Sequence, residues 1–182
     1  PHENNPWNIK TAEIVVENNI NEQEQFENTN PQVPVEYFDD IVNEIAPKFE
    51  EADGLVVASP VYYASANATL IAVLDRLFYS THFDKTMKVG ASIAVARRGG
   101  CSSTFDELNK FLPYSGRAVA TSQYWNSVHG RLQGEATEDK EGLQTMRTLA
   151  RNMVFLMKSI ELGKKEYGLP EKEARVATNF IK

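Results

Sequence analysis

Cysteine is nearly absent from this sequence. The 182 residues hold one, Cys101, so an internal disulfide, a CxxC redox pair and a thiolate cluster for zinc or iron–sulfur are all excluded. The three histidines, His2, His82 and His129, lack metal-ligand spacing. No apolar run approaches the ~18–20 residues that span a bilayer, and the start lacks a signal-peptide apolar region. The expected compartment is therefore the cytoplasm, with no membrane partner. GxSxG, Walker A and GxGxxG patterns are missing, which removes the usual marks of serine hydrolases, P-loop NTPases and Rossmann dinucleotide binders. A basic excess is missing too. With a net charge of -6, and with Arg97-Arg98 standing alone rather than in a stripe, nucleic acid is not an expected partner.

What is present suits one globular domain over residues 1–182: 42% apolar and 24% charged residues, with no repeat and no low-complexity linker. Charge is unevenly divided. Residues 1–53 carry thirteen acidic and two basic side chains, and the remainder carries seventeen basic and twelve acidic. Solvated helix faces of mixed sign explain this division more simply than steering of a phosphate-bearing ligand. Residues 18–34, polar and rich in Asn, Gln and Glu, read as a loop excursion.

Four short apolar runs read as strands: Gly54–Ala58, Val89–Val95, Arg117–Thr121 and, more weakly, Ala12–Val16. Between them lie helical patterns. Phe38, Val42, Ile45 and Phe49 form one stripe, in which Pro47 predicts a kink or an early end. A second helix follows Ser65-Ala-Asn67 with Leu70, Val73, Leu74 and Leu77 on its face. Thr104 and Glu107 have the spacing of a capping box. The longest helix is expected from about Thr137 to Leu162, with Leu143, Met146, Ala150, Met153, Met157 and Ile160 inward and a stop at Gly163-Lys-Lys165. Buried strands alternating with helices predict an α/β doubly wound parallel sheet with helices on both faces.

Ligands of such sheets sit at the carboxyl ends of the strands. Two loops there have unusual composition. Ser59-Pro60-Val61-Tyr62-Tyr63 and the following Ala-Ser-Ala-Asn67 combine two aromatics with hydroxyls, an amide and small residues, a mixture that suits a planar heteroaromatic ring. An ordinary capped strand-to-helix loop would look similar. Ala96-Arg97-Arg98-Gly99-Gly100 pairs glycines, which let a ligand approach the main chain, with guanidinium groups that can stabilise negative charge. Each arginine taken singly reads more readily as a surface residue paired with an Asp or Glu. Cys101 adjoins this loop without an identifiable activating base and reads as a packed thiol. The Ser122–Gly130 stretch carries Tyr124, Trp125 and Asn126, candidates for a ring pocket or a subunit contact, and His129, which reads more readily as structural. Asp75 and Arg76 read as ion-pair residues.

Ala52-Asp-Gly-Leu-Val-Val-Ala-Ser-Pro-Val-Tyr-Tyr63, then Leu74-Asp-Arg76, Ala96-Arg-Arg-Gly-Gly100 and Gln123-Tyr-Trp-Asn126 together resemble the flavodoxin-like NADPH-dependent FMN reductase family, from about Asp39 to Leu169. The resemblance implies a flavodoxin-like sheet of order 2-1-3-4-5, non-covalent FMN, NAD(P)H as electron donor, and a homodimer with the flavin near the subunit contact. It also implies ring contacts from Ser59, Pro60, Val61, Tyr62 and Tyr63, opposed by Ala96, Arg97, Arg98, Gly99 and Gly100. Pro1-His2-Glu3-Asn4 resembles the middle of the family's phosphate loop, which makes His2 and Asn4 cofactor candidates, whereas Asn5-Pro-Trp-Asn8 departs from it. A cysteine-bearing middle segment common in relatives is absent. The first strand is missing or substituted. Ala12–Val16 is either the second strand of an order whose first strand lies outside this sequence, which the abrupt start at Pro1 favours, or a substitute for the first.

The function so implied is electron transfer from NAD(P)H through FMN to a small-molecule acceptor: a flavin, a quinone, or a nitro- or azo-aromatic compound. No side chain is assigned as catalytic, because solvent can supply the protons. The competing reading is a flavodoxin-like electron carrier or a non-catalytic FMN-binding module, which an acidic rim would favour; the candidate loops carry arginines instead.

Overall fold

Strands with both faces buried need helices on both sides, and the chain supplies them. In the computed structural model, which describes residues 11–14, 40–174 and 176–180, the elements follow in the order β1 (Thr11–Ile14), α1 (Ile41–Glu51), β2 (Gly54–Pro60), α2 (Ala68–Ser80), β3 (Val89–Ala96), α3 (Cys101–Asn109), α4 (Phe111–Tyr114), β4 (Ala118–Val119), β5 (Ser127–His129) and α5 (Lys140–Tyr167). A 3-10 turn, Glu135–Thr137, precedes α5. All strand pairs are parallel. β2 lies between β1 and β3, with Gly54 opposite both Thr11 and Val89. β4 and β5 share the other edge of β3: β4 pairs with Val89 and Gly90, and β5 pairs with Ala94 to Ala96.

This is the expected doubly wound α/β arrangement, flavodoxin-like in topology. In the order 2-1-3-4-5, β2 and β3 take the third and fourth positions, and β4 with β5 make a split fifth. β1 pairs directly with β2 and so occupies the position of the first strand. The outer placement that the sequence favours is thereby corrected to the substitute. No described residue fills the outermost place, and the excursion over 18–34 lies outside the described residues.

Side chains alternate across the sheet as the pleat requires. Leu55 and Val57 join one buried cluster with Val42 and Phe49 of α1, the four leucine and valine positions of α2, and Leu108 and Leu112. Val89 and Ala91 join the other, with Leu149, Met153 and Met157 of α5. Phe49 anchors the first cluster, with ring centroids 5.1 Å from both Phe78 and Phe83. No helix among the described residues is long and apolar enough to cross a membrane.

Several local expectations need correction. Of the two outcomes Pro47 predicts, the early end is overturned: α1 runs to Glu51, with Val42 and Phe49 on either side of the proline both buried. α3 begins three residues before Thr104: Gly100, at φ 93°, starts the helix with no side-chain cap, so there is no capping box. Thr104 is buried inside the helix. Arg117–Thr121 shortens to a two-residue β4, and Ser127–His129, not among the expected strands, is one. α5 starts at Asp139, whose side chain accepts from the Gly142 N–H, and passes Gly163 to end at Gly168, φ 76°. Its buried line is Gly142, Thr145, Leu149, Met153 and Met157, one step away from the expected stripe in its first half; Ala150 is exposed.

Candidate functional site

The two loops singled out in the sequence leave adjacent strands, β2 and β3, at their carboxyl ends, and the structure brings them into contact. The Val61 N–H donates to the Val95 carbonyl at 2.8 Å, so the first loop starts as a continuation of the ladder. It then closes in a tight reverse turn, in which Tyr62 and Ser65 exchange backbone hydrogen bonds of 2.9 and 3.0 Å. Tyr63 and Ala64 at its tip hold positive φ values of 52° and 61°, an unfavourable conformation for side-chain-bearing residues. Gly100 explains how the second loop fits against this turn. A Cβ built there would stand 2.8 Å from Val61 Cγ1 and 3.0 Å from Ala64 Cα, so only glycine permits both the φ and the approach.

α3 secures the first loop from the side. The Glu107 carboxylate accepts the Ala66 N–H at 2.7 Å and the Ser65 hydroxyl at 2.8 and 3.0 Å. The Ser103 hydroxyl donates to the Ala64 carbonyl at 2.6 Å. Glu107 therefore clamps the loop, a role that no local pattern announces, since its partners lie 41 and 42 residues away.

The candidate residues divide by environment. Ser59 is buried; its hydroxyl donates to the Pro60 carbonyl and accepts the Asn67 N–H, both at 2.8 Å, so it holds the base of the loop. Ala96 is buried at the end of β3, and Val61 is half-buried. Pro60, Tyr62, Tyr63, Arg97, Arg98 and Gly99 are exposed, Tyr62 at 50% and Tyr63 completely. Among the described residues neither Arg97 nor Arg98 has an ion-pair partner, whereas Arg76 pairs with Asp40 at 2.7 Å as the surface reading anticipates. That guanidinium holds the Asp40 carboxyl below its ordinary range. His2 and Asn4 lie outside the described residues.

The stretch after β4 separates into three parts. Asn126 is fully buried: its amide donates to the Ser92 carbonyl at 3.0 Å and its oxygen accepts the Ser122 hydroxyl at 2.7 Å. It staples the excursion to β3. Tyr124 and Trp125, centroids 5.3 Å apart, remain exposed. His129 ends β5 opposite Ala96, and its Nε2 lies 3.8 Å from Cys101 Sγ. Its Nδ1 lies 3.7 Å from Asp139 Oδ2. Cys101 has no imidazole near it in sequence; the parallel register brings this one beside it. A cavity of about 750 Å³ bordered by His82, Lys85 and Tyr114 opens at the amino end of the sheet, away from these loops.

Two loops of this make, with an exposed aromatic pair on one and exposed cations on the other, fit the edges of a flavin ring. The fit concerns the ring end of FMN alone.

Comparison with known proteins places the chain among flavin-dependent families. The family model for NADPH-dependent FMN reductase matches residues 7–131. An iron-sulfur flavoprotein of Methanocaldococcus jannaschii is 32% identical over 130 residues, covering 67% of this chain and 67% of that protein. One from Methanosarcina thermophila is 33% identical over 128 residues, covering 68% of this chain and 65% of that protein. The chain thus spans about two thirds of the length of these relatives. The solved structure of RosB, with its bound intermediate 8-demethyl-8-formylriboflavin-5'-phosphate, shares the fold at a TM-score of 0.55 and 15% identity, covering 87% of this chain and 74% of that one. An iron–sulfur cluster does not fit these 182 residues, because Cys101 is their one thiol.

Proposed function

We propose that this chain, which belongs to the NADPH-dependent FMN reductase family, is an FMN-containing oxidoreductase that takes electrons from NAD(P)H and passes them to a small-molecule acceptor. Flavins, quinones and nitro- or azo-aromatic compounds are the acceptor classes that suit an open aromatic-lined site. The observation that carries this reading is the contact between the β2 and β3 loops, made through Gly100 against Val61 and Ala64. FMN, when bound, supplies the two-electron chemistry, accepting hydride from a reduced nicotinamide and returning electrons to the acceptor.

The residues of the chain supply position and charge. Pro60, Val61, Tyr62 and Tyr63 hold one edge of the ring, and Ala96 to Gly100 hold the other. Ser59 acts beneath them, through the loop base. Arg97 and Arg98, which form no ion pair among the described residues, offer positive charge to an electron-rich ring. Tyr62 and Tyr63 present exposed aromatic faces on which a nicotinamide or a planar acceptor stacks. His2 and Asn4 are assigned to the FMN phosphate from the sequence resemblance. The 182 residues act as one FMN-binding domain, and the exposed Tyr124–Trp125 pair suits the subunit contact of a homodimer.

Titration with FMN followed by visible absorbance and fluorescence tests the reading. Saturable binding is expected, then anaerobic bleaching of the bound flavin by NADPH or NADH. Failure to bind FMN would remove the redox assignment; binding without bleaching would leave the electron-carrier reading.

A further inference from the structure

We propose that Cys101, His129 and Asp139 form a nucleophilic thiol site that adds to α,β-unsaturated carbonyl compounds. The three residues come from different elements and meet at the carboxyl end of β3. Cys101 is the first residue of α3, directly after Gly100. His129 is the last residue of β5, fixed by the pairing of Ala96 with His129 and by the Gly130 N–H donating to the Ala96 carbonyl at 3.1 Å. Asp139 caps α5 with Oδ1, which accepts the Gly142 N–H at 2.9 Å, while Oδ2 accepts the His129 N–H at 2.7 Å.

The geometry assigns a role to each. Sγ and Nε2 are 3.8 Å apart, and the far ring nitrogen Nδ1 faces Asp139 Oδ2 at 3.7 Å. That is the order nucleophile, base, orienting carboxylate. The Gly142 and His129 N–H groups hold the Asp139 carboxyl below its ordinary range, so the carboxylate is charged at neutral pH. Burial pushes the Cys101 thiol up, so the resting pair is a neutral thiol beside an imidazole rather than a standing thiolate. The proton therefore leaves as the nucleophile attacks. The site is reachable: Cys101 is partly exposed and the His129 side chain is 46% exposed.

A conjugated carbonyl compound suits this arrangement because its addition needs a base and no oxidant. The Cys101 S–H bond breaks, its proton passes to His129 Nε2, and a C–S bond forms at the β-carbon. The C=C π pair moves towards the carbonyl oxygen, and the imidazolium returns the proton to the resulting enolate. The product is a saturated thioether, with no net gain or loss of electrons. Asp139 acts through His129 and is a positioning residue. None of this requires FMN.

N-ethylmaleimide reads the site cleanly, since the 182-residue chain has one thiol. In the wild type at pH 7 the folded chain is expected to react about tenfold or more faster than the same chain in urea. A half-buried thiol without a base would react more slowly than the unfolded one, and a folded rate at or below the unfolded rate overturns the proposal without any variant. His129→Ala is expected to lose roughly a hundredfold, the lower end of what a positioned base contributes, and added imidazole is expected to restore part of that rate. A loss under about threefold, or no restoration, also overturns it. Asp139→Asn keeps one acceptor for the Gly142 N–H but not the second that takes the His129 N–H, so it is expected to slow the reaction about tenfold with some loss of thermal midpoint; an unchanged rate removes Asp139 from the site.

Discussion

Glu107→Ala tests whether the β2 loop is the seat of the flavin ring. The wild-type carboxylate takes two donors, the Ala66 N–H at 2.7 Å and the Ser65 hydroxyl at 2.8 Å. Hydrogen bonds to a charged group are worth about 1.5–3 kcal/mol each, and a half-buried site open to water belongs at the low end. Removing both should therefore cost the ordered loop about 2–3 kcal/mol. At ~1.4 kcal/mol per decade this is roughly 30- to 100-fold in an equilibrium constant. The remaining ties, the Tyr62–Ser65 turn and the Ser103 hydroxyl on the Ala64 carbonyl, keep the chain path but not its rigidity. Two measurements share the loss: FMN affinity by fluorescence quenching, and protection of the Ala66 amide against hydrogen exchange. Amide protection should fall, and the FMN Kd should rise by about tenfold or more as binding reorders the loop. Glu107→Gln, which keeps one carbonyl oxygen for Ala66, should show about half the effect on a logarithmic scale. If Glu107→Ala loses amide protection while its FMN Kd stays within about threefold, the loop is mobile but does not seat the ring, and the assignment of Tyr62 and Tyr63 fails.

Two further substitutions probe the packing around the site and its support. Gly100→Ala forces a side chain into φ 93° and against Val61 and Ala64, so a loss of about 1–3 kcal/mol in urea unfolding is expected together with weaker FMN binding; full retention of both would mean that the loops do not meet as described. Arg117 lies buried over the Phe49 ring at 4.7 Å, with Nε and Nη2 unpartnered among the described residues and a bond of 3.3 Å to the Val89 carbonyl, and burial lowers its guanidinium to about 10. Its charged form carries a desolvation cost at neutral pH, so Arg117→Met is expected to leave stability unchanged or raise it by up to about 2 kcal/mol; a drop of more than about 1 kcal/mol would show that the ring and carbonyl contacts outweigh that cost.

The elements legible in the sequence are those whose signal is local. Gly54–Pro60 and Val89–Ala96 read as strands because buried parallel strands need continuous apolar runs, and Leu70, Val73, Leu74 and Leu77 are all buried as their spacing demands. The strand-end loops were legible for the same reason: paired glycines and paired tyrosines mark backbone demands within a few residues. What escaped depends on partners far along the chain. Ser127–His129 is three residues long, and nothing in it signals a strand until Ala94 to Ala96 offer it an edge and Asn126 ties it down. Thr104 and Glu107 have capping-box spacing, yet Gly100 starts the helix earlier and the Ser65–Ala66 turn claims the carboxylate. Gly163 resembles a stop, but a helix-interior glycine costs only about 1 kcal/mol relative to alanine, less than the packing of Met153 and Met157 that precedes it supplies. Cys101 illustrates the division most sharply. Its neighbours in sequence offer no base, and the imidazole that reaches it stands 28 residues later, delivered by the register of a strand too short to be foreseen.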